Sequence, residues 1–172
     1  MADIARIQEH LHATRQKFLA TIASVPDQRW LDAPRAGAWS AAEVVAHVTQ
    51  VERAINKNTN RLLSAPPVSI PFHKRLHFPI RISTWRAFRV KTTIPMKPEL
   101  LGDKDKLIAS LAAARRVTTE FLEANRDRNL DAYCAPHPFF GNLNVYNWYH
   151  FVAYHEERHR KQIREIVETF QL

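Results

Sequence analysis

Two histidines near the C-terminal end, His155 and His159, have the spacing of a metal-binding pair. On an α-helix, residues four apart differ by about 40° in direction and about 6 Å in rise, so both imidazoles can offer a nitrogen to one metal ion. Val152 and Ile163 flank the pair in the same apolar stripe. Because a buried polar group without a partner costs about 1–3 kcal/mol, histidines in such a stripe favour a shared cation over a solvated surface pair.

A third histidine, His47, also replaces an apolar residue in a helical stripe. If the two helices pack side by side, His47, His155 and His159 supply three nitrogen ligands and leave a coordination position open, as in catalytic sites. We therefore predict a metal site formed by these three residues, and we assign no further catalytic residue. His137 is expected either to form a hydrogen bond within its loop, which we favour, or to reach the mouth of the site. The remaining histidines are expected at the surface: His10, His12, His73, His77 and His150.

The same stretch matches the H-E-x-x-H pattern of zinc proteases, in which Glu156 would be the general base. The extended form of that pattern requires glycine and histidine where this sequence has Gln162 and Glu165. The sequence also lacks an alternating strand pattern that could form a substrate cleft. We therefore predict no peptidase activity, and we place Glu156 at the edge of the metal site or in support of its ligands.

Four amphipathic stretches must position these histidines. Apolar residues recur at three- and four-residue steps, and Ser40 followed by Glu43 forms a capping box that starts the second helix. The patterns predict helices over 3–24, 40–64, 103–125 and 144–170, and no strands. Four such helices with one long crossover between the second and the third make an all-α four-helix bundle, with residues 1–172 as a single domain.

The crossover carries the positive charge of the protein. Residues 53–98 hold ten Lys or Arg and no Asp or Glu, whereas the rest of the chain has 15 basic against 17 acidic residues. A short helix is predicted over 83–90. Three roles stay open for this basic segment: a solvated connector offset by surface acids such as Glu52 and Glu123, a lid over the metal formed by residues 81–91 that meets an anionic ligand, or a clasp for nucleic acid or an anionic membrane surface.

Composition excludes several classes of protein. The three glycines, Gly37, Gly102 and Gly141, are too far apart for a glycine-rich nucleotide loop or a hydrolase nucleophile elbow. The single Cys134 rules out an internal disulfide and a C-x-x-C metal or redox site. The sequence has no run of 18 apolar residues and no apolar leader at its start, so we expect a cytoplasmic protein without a membrane span.

Three segments resemble motifs of the DinB-like superfamily, in the order in which that superfamily has them. Residues 39–47, WSAAEVVAH, resemble its W-S-x-x-E-x-x-x-H motif; residues 137–143, HPFFGNL, resemble H-P-x-F-G-x-L; and residues 155–163, HEERHRKQI, resemble H-x-x-R-H-x-x-Q-I. The resemblance implies an up-down-down-up four-helix bundle that often forms a homodimer. It also implies a divalent metal, zinc, nickel or iron, held by the matching His47, His155 and His159. The superfamily includes enzymes that transfer low-molecular-weight thiols.

Three neutral imidazoles would leave a metal ion with its full 2+ charge, which suits two reactions. A thiol held as a thiolate would attack an electrophile, whereas a bound water of lowered pKa would hydrolyse a substrate. Low-molecular-weight thiols carry carboxylates that the basic segment could pair with, so we expect a thiol-dependent S-transferase acting on a small molecule. A metal-dependent hydrolase and a non-catalytic module that binds anions or nucleic acid stay open as alternatives, although specific nucleic-acid binding is not expected.

Overall fold

Four long helices dominate the structure, a computed structural model that describes residues 4–67, 79–85 and 102–170. The helices are α1 (Ile4–Ala23), α2 (Ala41–Leu63), α3 (Lys104–Ala124) and α4 (Val145–Phe170). Their bounds agree with the sequence prediction to within one residue, and the predicted four-helix bundle is confirmed. Within the described residues, no helix is long and apolar enough to cross a membrane.

Local capping explains why the helices begin where they do. At α2, the Ser40 hydroxyl accepts a hydrogen bond from the Glu43 N–H (3.2 Å), and the Glu43 carboxylate accepts one from the Ser40 N–H (2.7 Å). This is the predicted capping box. The Asp103 carboxylate caps α3 by accepting the N–H of Lys106 at 2.8 Å. These bonds satisfy N–H groups that a helix start leaves without an intrahelical partner.

The relative directions of the helices follow from pairs of contacting residues. Between α1 and α4 the pairs are His10–His150 and Thr14–Glu156. Between α2 and α4 they are His47–His159 and Thr59–Tyr149. Between α1 and α3 they are Leu11–Arg115 and Arg15–Leu111. Residue numbers rise together in the first set and oppositely in the other two. Helices α1 and α4 are therefore parallel to each other and antiparallel to α2 and α3, which confirms the up-down-down-up arrangement.

A layer of ion pairs crosses the middle of the bundle and separates two apolar clusters. We call Arg15, Glu52, Arg115 and Glu156 the ion layer; each comes from a different helix. Arg15 donates to Glu156 at 2.6 Å and to Glu52 at 2.9 Å, and Arg115 donates to Glu52 at 2.7 Å. Glu52 and Glu156 are 1% and 0% exposed. The expectation that Glu52 lies on the bundle surface is therefore wrong, because its carboxylate is the buried partner of two guanidinium groups.

A short β-hairpin precedes α4, and the prediction that the chain has no strands is wrong. Strand β1 (Cys134–His137) pairs antiparallel with β2 (Gly141–Asn144). Each strand has only four residues and β1 contains Pro136, so neither shows a recognisable alternation. Gly141 has a φ of +76°, a conformation that glycine adopts without a steric penalty. The hairpin brings the loop of the H-P-F-F-G segment against α4.

Part of the basic crossover packs on α4. Residues 80–84 form a 3-10 helix, and Arg158 donates to the carbonyl oxygens of Ser83, at 3.2 Å, and Trp85. Lys161 donates to the carbonyl of Thr84 at 3.3 Å. The predicted helix over 83–90 overlaps the end of this element at residues 83 and 84; Trp85 is extended, and residues 86–90 lie outside the described residues. Six of the ten crossover cations also lie outside them: Lys74, Arg75, Arg86, Arg89, Lys91 and Lys97.

Candidate metal centre

The structure brings the three predicted ligands together in the groove between α2 and α4. His47, His155 and His159 each offer a ring nitrogen, and these nitrogens all lie within 4.8 Å of one another. The ring centroid of His47 is 5.2 Å from that of His155 and 4.9 Å from that of His159. His47 and His159 are buried, and His155 is half-buried. We call these residues the histidine triad.

The hydrogen bond between His159 and Gln162 indicates which ring nitrogen of His159 can serve as a metal ligand. Its Nδ1 lies 2.8 Å from the side-chain oxygen of Gln162, an acceptor, so Nδ1 carries the proton and Nε2 does not. The Nε2 atoms of His159 and His155 are 3.2 Å apart. Two nitrogens that each lie about 2.0–2.1 Å from a tetrahedral metal are separated by about 3.3 Å. The spacing of this pair therefore fits two ligands of one ion without rearrangement.

His47 is the third member of the triad, and one of its ring nitrogens has no hydrogen-bond partner in the part of the chain that the structure describes. The side chain is buried, and the nitrogen without a partner among the described residues is Nδ1. Burial lowers the pKa of His47 to about 4 and, together with the neighbouring His159 and His47, holds the pKa of His155 well below its ordinary value. Both rings are therefore neutral near pH 7. Neutral imidazoles whose ring nitrogens converge are a donor set suited to a divalent transition metal.

Trp39 is a residue of the site that the sequence argument assigned no role. Its ring lies 5.0 Å from that of His47 and, nearly parallel, 6.5 Å from that of His159. The residue directly precedes Ser40, the N-cap of α2, so the capping box fixes its position at the start of the helix that carries His47. Its position at the start of the W-S-x-x-E-x-x-x-H segment is the sequence signal that could have indicated a role at the site.

His137 is placed beside the triad by the hairpin. Its Nδ1 accepts the N–H of Phe139 at 3.1 Å, which is the loop hydrogen bond expected from the sequence. Its ring also packs 4.5 Å from Phe151 and lines the same cavity as the triad. Burial lowers the pKa of His137 to about 4. The neutral ring therefore carries its proton on Nε2, which has no hydrogen-bond partner among the described residues.

An open cavity of about 1510 Å³ lies against the triad. Crossover residues Ile82, Ser83 and Trp85 form part of its wall. Arg81 is exposed and does not line the cavity. The described part of the predicted lid, residues 81–85, therefore contributes no cation to the cavity wall. The rest of that lid, residues 86–91, lies outside the described residues.

Glu156 takes no part in the cavity, although it matches the protease pattern. One of its carboxylate oxygens accepts a bond from Arg15 at 2.6 Å, and the other accepts one from Thr14 at 2.9 Å. The expectation that it lies at the edge of the metal site or supports its ligands is wrong, because the side chain belongs to the buried ion layer. A carboxylate so paired is not placed to act as a general base at the triad.

His10 and His150 depart from the surface position expected of them. Both are half-buried, and their rings pack 5.8 Å apart between α1 and α4. Burial lowers the pKa of both residues. His12 is exposed, as expected, and His73 and His77 lie outside the described residues.

Comparison with known proteins places the chain in a family. The uncharacterized protein YuaE of Bacillus subtilis (strain 168) is 24% identical over 153 residues, which cover 87% of this chain and 90% of YuaE. The crystal structure of TT2238, a four-helix bundle protein, has the same fold, with a TM-score of 0.64 and 24% identity over 95% of this chain and 99% of that chain. The DinB superfamily model matches residues 10–163. Since that match spans most of the chain, the protein belongs to the DinB superfamily.

Proposed function

We propose that this protein is a metal-dependent enzyme that transfers a low-molecular-weight thiol to a small electrophilic molecule. The observation that carries the proposal is the histidine triad, whose ring nitrogens lie within 4.8 Å of one another beside an open cavity. His47, His155 and His159 would hold the metal ion. An ion bound there supplies Lewis acidity, which lowers the pKa of a thiol so that it reacts as a thiolate.

The residues of the chain orient and flank this centre. Gln162 fixes the ring of His159 through the bond to Nδ1, and this kind of support raises metal affinity. Trp39 lies beside two of the imidazoles, with its ring 5.0 Å from that of His47 and 6.5 Å from that of His159. Imidazole nitrogens suit zinc, copper, nickel and iron, and the family resemblance implies zinc, nickel or iron, so we propose one of these three as the metal.

A hydrolase of the H-E-x-x-H type does not fit the site. Its glutamate would be the general base, whereas Glu156 is paired with Arg15 inside the bundle. A metal ion at the triad could activate either a thiol or a water without that base, and the resemblance to a superfamily that includes thiol-transferring enzymes favours the thiol. The alternative of an anion or nucleic-acid binding module depends mainly on crossover cations outside the described residues, so it stays an outcome of the experiments.

We also propose a domain organisation, an oligomeric state and a cellular location for the enzyme. We propose that residues 1–172 act as one domain, because all four helices contribute to the ion layer. We further propose a cytoplasmic homodimer: family membership supports the dimer, and a single, half-buried cysteine is in keeping with a reducing compartment.

A thiol-transfer assay tests the proposed reaction. Metal-depleted protein is reloaded with zinc, nickel or iron and given 1-chloro-2,4-dinitrobenzene with a low-molecular-weight thiol such as bacillithiol, mycothiol or glutathione. In the expected reaction a sulfur–carbon bond forms, the carbon–chlorine bond breaks, chloride leaves with the bonding electrons and the thiol proton passes to the buffer. We expect acceleration with the loaded wild type only, and none with His159→Ala.

Two results would overturn the proposed function. Equal rates with the wild type and His159→Ala would show that the triad does not take part. Metal-dependent hydrolysis of an ester such as p-nitrophenyl acetate, with no thiol consumed, would favour the hydrolase instead.

A further inference from the structure

The lining of the cavity beside the triad includes three exposed apolar side chains, which we call the apolar rim. They are Ile82, Trp85 and Phe139, which are 44%, 64% and 52% exposed. The other large apolar side chains with comparable exposure in the described residues, Leu31 and Val117, do not line this cavity. Exposed apolar side chains that cluster at the mouth of a concave site mark a ligand-binding surface.

Aromatic rings connect this rim to the triad. The ring of Phe139 lies 6.0 Å from that of His137, which lies 4.5 Å from Phe151. Phe151 in turn lies 5.4 Å from His155. A molecule in the cavity can therefore contact aromatic faces and edges from the rim to the metal ligands. Such contacts favour a flat aromatic ligand beyond the burial of apolar area alone.

The rim is fixed in place on both sides. Arg158 and Lys161 bind the backbone carbonyls of residues 83–85, which holds Ile82 and Trp85 against α4. On the other side, Phe139 sits in the turn of the β-hairpin, where its N–H is bound by His137. A wall held by backbone hydrogen bonds loses little conformational freedom when a ligand binds, which favours affinity.

A low-molecular-weight thiol does not account for these side chains. Such thiols are small, polar and charged, so they gain little from exposed tryptophan and phenylalanine rings. The charged residues that line the cavity, Arg35, Arg158 and Glu165, could pair with the charged groups of such a thiol. Ile82, Trp85 and Phe139, in contrast, offer mainly apolar side-chain surface. The rim therefore fits a second molecule of different chemistry.

We propose that the cavity binds a bulky, flat aromatic molecule against Ile82, Trp85 and Phe139, and that this molecule is the electrophile that receives the thiol. The inference deepens the proposed function, since the role of electrophile depends on thiol transfer. The binding of an aromatic molecule at the rim does not depend on that role, and it can be measured without any reaction.

A fluorescent probe measures this binding directly. N-phenyl-1-naphthylamine is flat, aromatic and uncharged, so the net charge of +8 does not attract it. It is titrated into the full-length wild type, metal-depleted and zinc-loaded, and into Trp85→Ala and Phe139→Ala. Leu31→Ala is the matched control because Leu31 is 64% exposed, like Trp85, but lies away from the cavity. Thermal unfolding midpoints are measured for every variant.

We expect the dissociation constant of the probe to rise about fivefold or more in each rim variant, as the loss of one aromatic contact predicts, and to stay unchanged in Leu31→Ala. Equal affinity in all variants would overturn the inference. So would a lower unfolding midpoint in the rim variants with unchanged probe affinity, because the rim would then be covered by the chain itself.

The assay with electrophiles separates this inference from the proposed function. If thiol transfer occurs, the rim variants should raise KM for 1-chloro-2,4-dinitrobenzene and leave KM for the small aliphatic iodoacetamide unchanged. Parallel changes for both electrophiles would refute the assignment of the aromatic molecule as substrate. Rim-dependent probe binding without any thiol transfer would refute the proposed function and retain the aromatic binding site.

Discussion

The ion layer and the histidine triad are neighbouring polar clusters in one bundle, and they differ in how completely their atoms are paired. In the ion layer, both oxygens of Glu52 and of Glu156 accept hydrogen bonds, and two guanidinium groups balance the two carboxylates. In the triad, His47 Nδ1 has no partner among the described residues, and two Nε2 atoms face each other at 3.2 Å.

The difference shows which cluster needs a ligand. Buried charges that satisfy one another fix the relative positions of the helices and require nothing from outside. A buried imidazole nitrogen that lacks a partner in the described part of the chain, such as His47 Nδ1, raises the free energy of the folded state until a ligand binds it. His155 and Glu156 are adjacent in α4, yet a turn of about 100° per residue places one in the groove and the other in the ion layer. Glu156 therefore contributes to stability, whereas His155 is placed to bind a ligand.

Removing one charge of the ion layer should cause the largest loss of stability. Glu156→Gln leaves Arg15 and Arg115 with one carboxylate between them, so we expect the free energy of unfolding to fall by about 3–5 kcal/mol. The adjacent Glu157 pairs with Arg160 three residues on and is half-buried, so Glu157→Gln should cost less than about 1 kcal/mol. Denaturant unfolding measures both, and equal losses would contradict the structural role of the layer.

Acid should destabilise the metal-depleted protein through its buried neutral histidines. His137 has a folded-state pKa of about 4, below the ordinary value of 6.5, so the unfolded chain binds the proton more tightly. Its contribution to stability is complete above about pH 6.5 and falls by about 1.4 kcal/mol per pH unit from there to about pH 4.

The His137→Gln variant checks this slope. Between pH 6.5 and 4, its free energy of unfolding should depend less steeply on pH than that of the wild type, by about 1.4 kcal/mol per unit. His12→Gln, at an exposed position, is the control. A slope in His137→Gln equal to that of the wild type would show that this histidine is not held neutral by burial.

Releasing the crossover from α4 should have the smallest effect on stability. Arg158→Gln removes the bonds to the carbonyls of Ser83 and Trp85, so we expect a loss of about 1 kcal/mol. Amide hydrogen exchange in residues 80–85 should become faster, because the 3-10 helix loses its anchor. Arg164→Gln on the same helix, whose pair with Glu168 is exposed, should leave that exchange unchanged. Equal exchange in both variants would mean that Arg158 does not hold the segment.

The sequence predicts the bounds of the helices better than it predicts the polar residues of the core. The capping box at Ser40 and the apolar stripes predict the helix bounds because these signals are local. Glu52 was misplaced although it lies four residues after Val48 and three before Ile55, on the inner face of α2. A carboxylate at such a position is normally exposed, and its buried partners come from helices distant in sequence.

The candidate site was predictable where histidines replaced apolar stripe residues. His47 and His159 stood in such stripes, and the structure places them with His155 in one groove. The cavity wall was not predictable, because Trp85 and Phe139 reach it from a crossover and a hairpin that have no helical or strand periodicity. Their positions depend on tertiary hydrogen bonds from Arg158 and within the hairpin.

Metal content tests the central claim most directly, namely that the histidine triad binds one ion. Protein made without a histidine tag is incubated with excess zinc, freed of unbound metal and subjected to elemental analysis. The wild type, His10→Ala and His150→Ala should each retain about one ion per chain, as expected for a three-histidine site. His47→Ala, His155→Ala and His159→Ala should each retain less than about a tenth of that amount. Full zinc occupancy in a folded His47→Ala variant would contradict the account.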